Sequence, residues 1–396
     1  MIAEVPAPPV IVVDTPEALA DVCARIARAE RVGLDTEFHT ERSYTPHLMV
    51  VQLLFDDGVA IVDPLAIRDL SPLIDALKNA RIVGHALSSD LRILVDAFSA
   101  LPRAVYDTQV AAAFVGFGMS ISLLDLVREL CGVTLRKSQT VSDWSTRPFT
   151  PKQVEYLVDD VRYLFALEDG LHQRLQARGR DEWANEEMTG LVDIKTYRPD
   201  PARLYLRIAG NARMNRRELG VLNELAKLRE KFARERNIPL KYVLADDVMT
   251  GIVSLRPTTV DELSQLRRLE AGARRNMGDR IIEAVRAGEA IPEDELPPRA
   301  PKPLGPQRDA LVATMAVLIS ALAADADLPT TLLLHRNALE RIARESPSTP
   351  EKLAALVDLT PWRTELVVPS LWKMLTGESA VRIAGYMDGN PRTTFD

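Results

Sequence analysis

The sequence predicts an α/β domain with a mixed sheet, followed by two small all-α domains. Two observations carry this expectation. Up to about residue 200, short apolar runs with strand character alternate with helical patterns, and after Pro201 strand signals almost vanish. A third observation sets the subdivision: six prolines fall between residues 291 and 307, as in a stiff linker. The expected units are residues 1–200, 201–290 and 308–396, joined by the Pro-rich stretch 291–307.

After a Pro-rich start, residues 15–29 place Leu19, Val22 and Ile26 at helical spacing. An apolar strand at 32–38 comes next. Two further strands, 48–55 and 59–62, are separated by Asp56-Asp57-Gly58, a hairpin signal. A helix over 71–78 leads to a short strand at 81–85, a helix at 88–98 and a strand at 104–106. Helical segments cover 108–115 and 122–131. Residues 151–177 read as one long helix, with Thr150 as N-cap and Pro151 at the first helical position. Three meandering strands followed by β-α-β-α give the mixed sheet. In the second half, 216–237 is strongly amphipathic, and shorter helices are expected at 246–254, 259–267 and 278–287. The segment from 309 to near 386 loosely echoes this order, as a divergent repeat would.

Hydrophobic residues make up 46% of the chain and charged residues 27%, an ordinary balance for folded domains. The net charge of −7 is unevenly spread. Residues 203–290 carry 18 Lys and Arg against 12 Asp and Glu, a balance of +6 that leaves −13 elsewhere; residues 307–396 carry 9 basic and 11 acidic side chains. An acidic body with a basic appendage suits a polyanionic substrate. Two cysteines, Cys23 and Cys131, are too few for a disulfide framework or a zinc cluster. The start MIAEVPAPPV has neither a basic segment nor a continuous apolar run, so no signal peptide is expected. The apolar stretch 311–324 is shorter than a bilayer needs and reads as a buried helix. The expected location is the cytoplasm, with no membrane partner.

The chemistry begins in Val32-Gly33-Leu34-Asp35-Thr36-Glu37-Phe38. A strand has a side-chain period of two, so Asp35 and Glu37 project from one face. Two carboxylates that close raise each other's pKa unless a cation lies between them, and hard divalent ions favour such oxygen clusters. Asp90, in Gly84-His85-Ala86-Leu87-Ser88-Ser89-Asp90, is expected in the first turn of a helix leaving the carboxyl end of a strand, a usual place for sites on open sheets. Tyr156 and Asp160 are four apart on a helix and share a face. No P-loop or HExxH motif is present, and Gly116-Phe117-Gly118 lacks the third glycine and preceding strand of a dinucleotide site.

In this order, Asp-x-Glu on a strand, Asp on a helix and Tyr-x-x-x-Asp on a later helix resemble the DEDD exonuclease family in its tyrosine-bearing branch. The stretches LDTEF, VDP (62–64), HALSSDL, YDTQVAAAF (106–114), GVTLRKS (132–138), DWSTRP (143–148) and EYLVDDVRYL look like the ribonuclease D family, and the later helical blocks are similar to HRDC modules. The resemblance implies a ribonuclease-H-like mixed-sheet 3′→5′ exonuclease domain followed by two HRDC-type domains. It implies a metal-dependent exoribonuclease that releases nucleoside 5′-monophosphates, with RNA, tRNA precursors in particular, as partner. Asp35, Glu37, Asp90 and Asp160 become the metal positions and Tyr156 the fifth catalytic residue. Two divalent ions, Mg²⁺ or Mn²⁺, are the implied cofactors, and no organic cofactor is expected. Asp35 would bridge both ions, Glu37 and Asp160 would complete the first site, and Asp90 would serve the second through water. The position occupied by histidine in the family's other branch is Glu155 here, and His85 has no catalytic counterpart. With an ordinary pKa near ~10, Tyr156 suits an orienting role better than that of a base. Asp143, Trp144 and Arg147 either grip the substrate strand or pin a loop to the domain. Arg213, Arg216 and Arg217, with Arg203 and Arg207, cluster at the start of the first helical block and are expected to contact RNA. A proofreading-type DNA exonuclease and a non-catalytic nucleic-acid scaffold are the competing readings.

Overall fold

The computed structural model describes residues 5–39, 43–135, 143–299, 303–384 and 392–395. Residues 136–138 of the GVTLRKS stretch and 300–302 of the expected linker lie outside them. The first half is built on a six-stranded sheet of order β1-β4-β3-β2-β5-β6. Its strands are β1 (Val10–Val13), β2 (Val32–His39), β3 (His47–Phe55), β4 (Gly58–Val62), β5 (Arg81–Gly84) and β6 (Ala104–Asp107). β3 runs antiparallel to β2 and β4; the β1–β4, β2–β5 and β5–β6 pairs are parallel. The apolar runs of β3, broken only by Gln52, and of β4 are buried almost throughout, as expected of central strands covered on both faces. β1 was not legible: it is four residues at the sheet edge, with Val10, Ile11 and Val12 exposed rather than alternating.

The helices of this half are α1 (Pro16–Arg28), α2 (Ser71–Lys78), α3 (Ser88–Phe98), α4 (Thr108–Ala113), α5 (Leu123–Cys131), α6 (Pro151–Arg162), α7 (Leu164–Arg178) and α8 (Asp181–Leu191). The single helix expected over 151–177 is therefore two. They part at Tyr163, whose buried ring sits at the break. α6 packs over β2, β3 and β4, whereas α7 packs on β5, α4 and α5; one straight rod could not serve both surfaces. No Pro or Gly marks the break, so the sequence carries no signal for it.

Helices α9 (Arg216–Arg236), α10 (Leu240–Val243), α11 (Asp246–Leu255) and α12 (Ala271–Glu289) follow, with their own hydrophobic core. The helix expected at 259–267 is only a short 3₁₀ turn at Asp261–Gln265, and α12 begins seven residues earlier than the expected 278. Helices α13 (Pro306–Asp325), α14 (Thr330–Leu333), α15 (Arg336–Glu345), α16 (Pro350–Leu356) and α17 (Pro361–Thr376) repeat that order. The echo reaches the backbone: Asn237 and Asp327 take positive φ after the long helices, as do Arg256 and Ser346 after α11 and α15. Pro239 and Pro329 cap the two four-residue helices.

Three expectations for the last segment change. Its core is continuous with that of the sheet domain: Trp362 stacks on Trp183 (5.1 Å, 18°) and meets Phe114 edge-on (5.3 Å, 72°), and Arg363 pairs with Glu187 at 2.6 Å. It is also not all-helical, because β7 (Val381–Ala384) and β8 (Arg392–Phe395) form an antiparallel pair. Finally, α13 has 20 residues rather than the fourteen expected over 311–324, and among the described residues it is the one helix long and apolar enough to cross a membrane. Within the fold its buried side is Val312, Met315, Leu318, Ile319 and Ala323. Gly116 is explained by the same docking: a Cβ there would lie 2.9 Å from an Asp327 carboxylate oxygen, on a backbone at φ +96°.

Candidate active site

The site is assembled on β2 at the centre of the sheet. Asp35 and Glu37 point to one face, and α6 crosses that face so that Asp160 joins them. A carboxylate oxygen from each of the three can be chosen with all three within 4.8 Å of one another. α6 is fixed by its start: Thr150 and Gln153 form a reciprocal capping box and Pro151 opens the first turn. Tyr156, one turn before Asp160, hydrogen-bonds to it through the phenol.

Asp90 reaches the site from another direction. Gly84 ends β5 where a Cβ would clash with Leu87 and crowd the Leu34 carbonyl, and Ala86 turns the chain at φ +57°. Asp107, at the end of β6, accepts from the amides of Ala86 (3.0 Å) and Leu87 (2.8 Å), and so holds the entry to α3. Asp90 is then buried in the first turn, where its carboxylate accepts the Thr36 hydroxyl and backbone amide. It lies close enough to push Asp35 and Glu37 up, yet it is not one of the three clustered carboxylates. His85 is held between Thr108 Oγ1 (2.9 Å) and the Ile121 carbonyl (3.1 Å), and burial keeps its pKa low.

Electrostatics set the character of the site. Burial, then the charges of Asp90, Asp160 and Glu37, hold Asp35 well above the ordinary carboxylate range. Burial, then Asp90, pushes Glu37 to about 7, against a hydrogen bond from Trp144. Burial, then Glu37, pushes Asp160 to about 8, against the bond from Tyr156. Asp90 stands at about 6 through burial, restrained by Thr36. Burial, then Asp160, Glu37 and Asp35, raises Tyr156 far above the usual phenol, so it remains a donor. Asp160 Oδ2 is buried with no hydrogen-bond partner among the described residues. An orphaned buried oxygen among mutually repelling carboxylates fits a hard divalent cation.

Four of the residues expected to contact RNA are engaged within the fold. Trp144 is buried, its ring tilted against Tyr156 (5.7 Å, 37°) and its indole N–H on Glu37, so it is not an open stacking platform. Arg147 pins the loop, which was the other expectation. It donates to Asp63 (2.6 and 2.8 Å) and to the carbonyls of Met49 (2.9 Å), Trp144 (2.7 Å) and Thr146 (3.0 Å). Met49 lies at the register shift of β3 opposite Glu37 and Phe38, so Arg147 braces the strand pair beside the site. Arg216 bonds the Leu296 carbonyl (2.9 Å), and Arg217 the Glu289 (2.9 Å) and Ile291 carbonyls; both tie the end of α12 and the Pro-rich segment to α9. Carbonyls left open at a helix end attract such donors. Arg213 is exposed. Residues overlooked in the sequence include Gln52, the lone polar side chain in LMVVQLLF. It is fully buried opposite Asp35 and points its amide at Asp35 Oδ2 (3.4 Å).

Comparison with known proteins agrees with this geometry. Residues 10–176 match the family model of a 3′-5′ exonuclease, and residues 218–285 match that of the HRDC domain. Ribonuclease D of Gluconacetobacter diazotrophicus is 37% identical over 349 residues, covering 87% of this chain and 88% of that protein. The chain belongs to the ribonuclease D family. Ribonuclease D of Acidiphilium cryptum is 34% identical over 96% of both chains. Among solved structures, Escherichia coli RNase D, described as an exoribonuclease involved in structured RNA processing, superposes with a TM-score of 0.79 at 28% identity. It covers 93% of this chain and 99% of that one. As a ribonuclease D family member the chain is a 3′→5′ exoribonuclease: it acts on RNA and binds divalent metal.

Proposed function

We propose that Asp35, Glu37 and Asp160, with Asp90 behind them, hold two divalent ions, Mg²⁺ or Mn²⁺, at which the 3′-terminal phosphodiester of an RNA is hydrolysed. Nucleoside 5′-monophosphates are the products, and 3′-extended tRNA precursors are the substrates we favour. The observation that carries this reading is the trio of raised carboxylates within 4.8 Å, with a buried Asp160 oxygen that has no partner among the described residues. Bound ions would lower the pKa of a water and neutralise charge building on the phosphate. Asp35, Glu37 and Asp160 would hold them, and Asp90 would add charge from the α3 side. Tyr156, kept protonated and donating to Asp160, would accept a hydrogen bond from the attacking water and would not remove its proton. Trp144 fixes Glu37 and Tyr156 relative to one another. Gln52 orients Asp35 from the neighbouring strand.

We read residues 1–200 as the exonuclease domain, 201–290 as the first HRDC domain, 291–307 as the connection and 308–396 as a divergent second HRDC-like domain, supported by the repeated helix order. We place the protein in the cytoplasm, where its substrates are made. Matched RNA and DNA oligomers with Mg²⁺, Mn²⁺ or EDTA test the function. Release of 5′-monophosphates from RNA well ahead of DNA is expected; equal or preferential release from DNA would favour the proofreading reading.

A further inference from the structure

Between the sheet domain and the first helical block lies a cleft of about 540 Å³. One wall is the carboxyl-terminal half of α3, with Asp96; the other is α9. Lys227, Lys231 and Arg234 recur at i, i+4 and i+7 on α9, so they share one face, and that face lines the cleft. Arg198, on the connection between α8 and α9, adds a fourth cation. Against these stand two carboxylates. Glu230 is engaged by the Tyr44 hydroxyl, and Asp96 lies in the field of Arg92 and Arg234. The cleft is therefore net cationic. Lys227 and Lys231 are exposed, and their pairs with Glu224 (2.6 Å) and Glu235 (4.0 Å) lie on the surface. Such pairs are weak and exchange readily for a phosphate.

Its position relative to the metal cluster follows from helix geometry. Asp90 and Asp96 are six residues apart on α3, about 9 Å along its axis and about 120° apart around it, so the cleft opens on a neighbouring side of the helix. The cationic stripe from Lys227 to Arg234 is about 10 Å long, which spans roughly three nucleotides of a stacked strand at ~3.4 Å each. α9 is also tied to the strand that carries the site. Tyr44 and Thr45 lie on the connection following β2; Tyr44 bonds Glu230 and Arg234, and the Thr45 amide bonds Asn237 at 2.9 Å.

We propose that this cleft holds the phosphodiester backbone of the RNA a few nucleotides 5′ of the scissile bond, with Lys227, Lys231, Arg234 and Arg198 as its phosphate-binding groups. The proposal rests on the exoribonuclease reading. It moves RNA contact away from Arg216 and Arg217, whose guanidiniums hold carbonyls.

The test uses the full-length protein carrying Asp35→Asn, so that RNA is not cut, and a hairpin RNA with a single-stranded 3′ tail. Binding is followed by fluorescence anisotropy across a salt series, with and without Lys227→Glu/Lys231→Glu. Losing two phosphate contacts should make the slope of log K against log salt shallower by about 1.4 and weaken binding at least tenfold. The pair Arg267→Glu/Arg275→Glu changes net charge equally outside the cleft and should move the slope less than half as far. Unchanged slope in the cleft variant, or an equal shift in the control, overturns the proposal. Should thermal unfolding show that the double reversal misfolds, Lys227→Gln/Lys231→Gln carries the same measurement. Failure of the parent protein to release 5′-monophosphates from any RNA would count against the exoribonuclease reading alone, because the salt slopes are measured without cleavage.

Discussion

Replacing Asp160 with asparagine removes one charge from a cluster that repels itself, and the structure gives the sign of the effect and its order of magnitude. Asp160 is held at about 8 against an ordinary 3.8, so in the metal-free native state it takes up a proton that the unfolded chain releases. A folded pKa raised in this way contributes stability that is complete below the unfolded value and lost as pH rises through the folded one. The window therefore runs from about pH 4 to about pH 8. Four units correspond to a ceiling of about 5 kcal/mol; burial is the larger cause, and because the charge repulsion from Glu37, Asp159 and Asp90 is shared among coupled carboxylates, about 2–3 kcal/mol falls to this one. Asp160→Asn keeps an acceptor for Tyr156 and loses the charge. In EDTA the variant should equal the wild type below about pH 4 and exceed it by about 2–3 kcal/mol at pH 8. Saturating Mn²⁺ should reverse the order, raising the wild-type midpoint strongly at pH 8, weakly at pH 6, and that of the variant hardly at all. Thermal unfolding at these pH values, with EDTA and with Mn²⁺, reads all of this. A variant no more stable than wild type at pH 8 in EDTA, or an equal Mn²⁺ shift in both proteins, would refute the reasoning.

Other predictions address single contacts. Tyr156→Phe keeps the ring against Trp144 and should lower kcat by roughly 10- to 1000-fold with little change in RNA affinity; a loss confined to binding would make Tyr156 a substrate platform. Trp144→Phe removes the N–H that favours ionised Glu37, so Glu37 should rise above about 7 and Mn²⁺ binding should weaken at pH 7 yet recover at pH 8.5; calorimetry that finds equal loss at both pH values would contradict this. Trp362→Ala should cost about 3–5 kcal/mol and expose the chain near residue 306 to limited proteolysis, because Trp362 fills the seat between Trp183 and Phe114. Proteolysis no faster than in the wild type would show that the last helices are held elsewhere.

Much of the site was legible because it depends on local periodicity. The two-residue spacing of Asp35 and Glu37 and the four-residue spacing of Tyr156 and Asp160 each place a pair on one face, whatever the rest of the chain does. Thr150, Pro151 and Gln153 announce the start of α6 in the same local way. What escaped depends on partners distant in sequence. Nothing near Tyr163 shows that α6 and α7 must face different surfaces, and nothing near Trp144 shows that its indole turns inward to Glu37. Arg216 and Arg217 look like a free basic cluster until the carbonyls at 289, 291 and 296 come within reach. Trp362 reads as an ordinary amphipathic position until Trp183 stacks on it. Gln52 had a readable signal: one amide in an otherwise apolar strand, in register with Asp35.

The central claim is that the clustered carboxylates hold the ions at which an RNA 3′ end is cut. A time course on a 5′-labelled, 3′-extended precursor tRNA tests it most directly, with nucleotide products resolved and the wild type compared with Asp35→Asn. Wild type with Mg²⁺ or Mn²⁺ should shorten the RNA one nucleotide at a time with release of 5′-monophosphates, and EDTA should stop it. Asp35→Asn should retain less than about a tenth of the rate at saturating metal while remaining folded. Hydrolysis that survives EDTA, or that proceeds at a comparable rate in folded Asp35→Asn, would contradict the account.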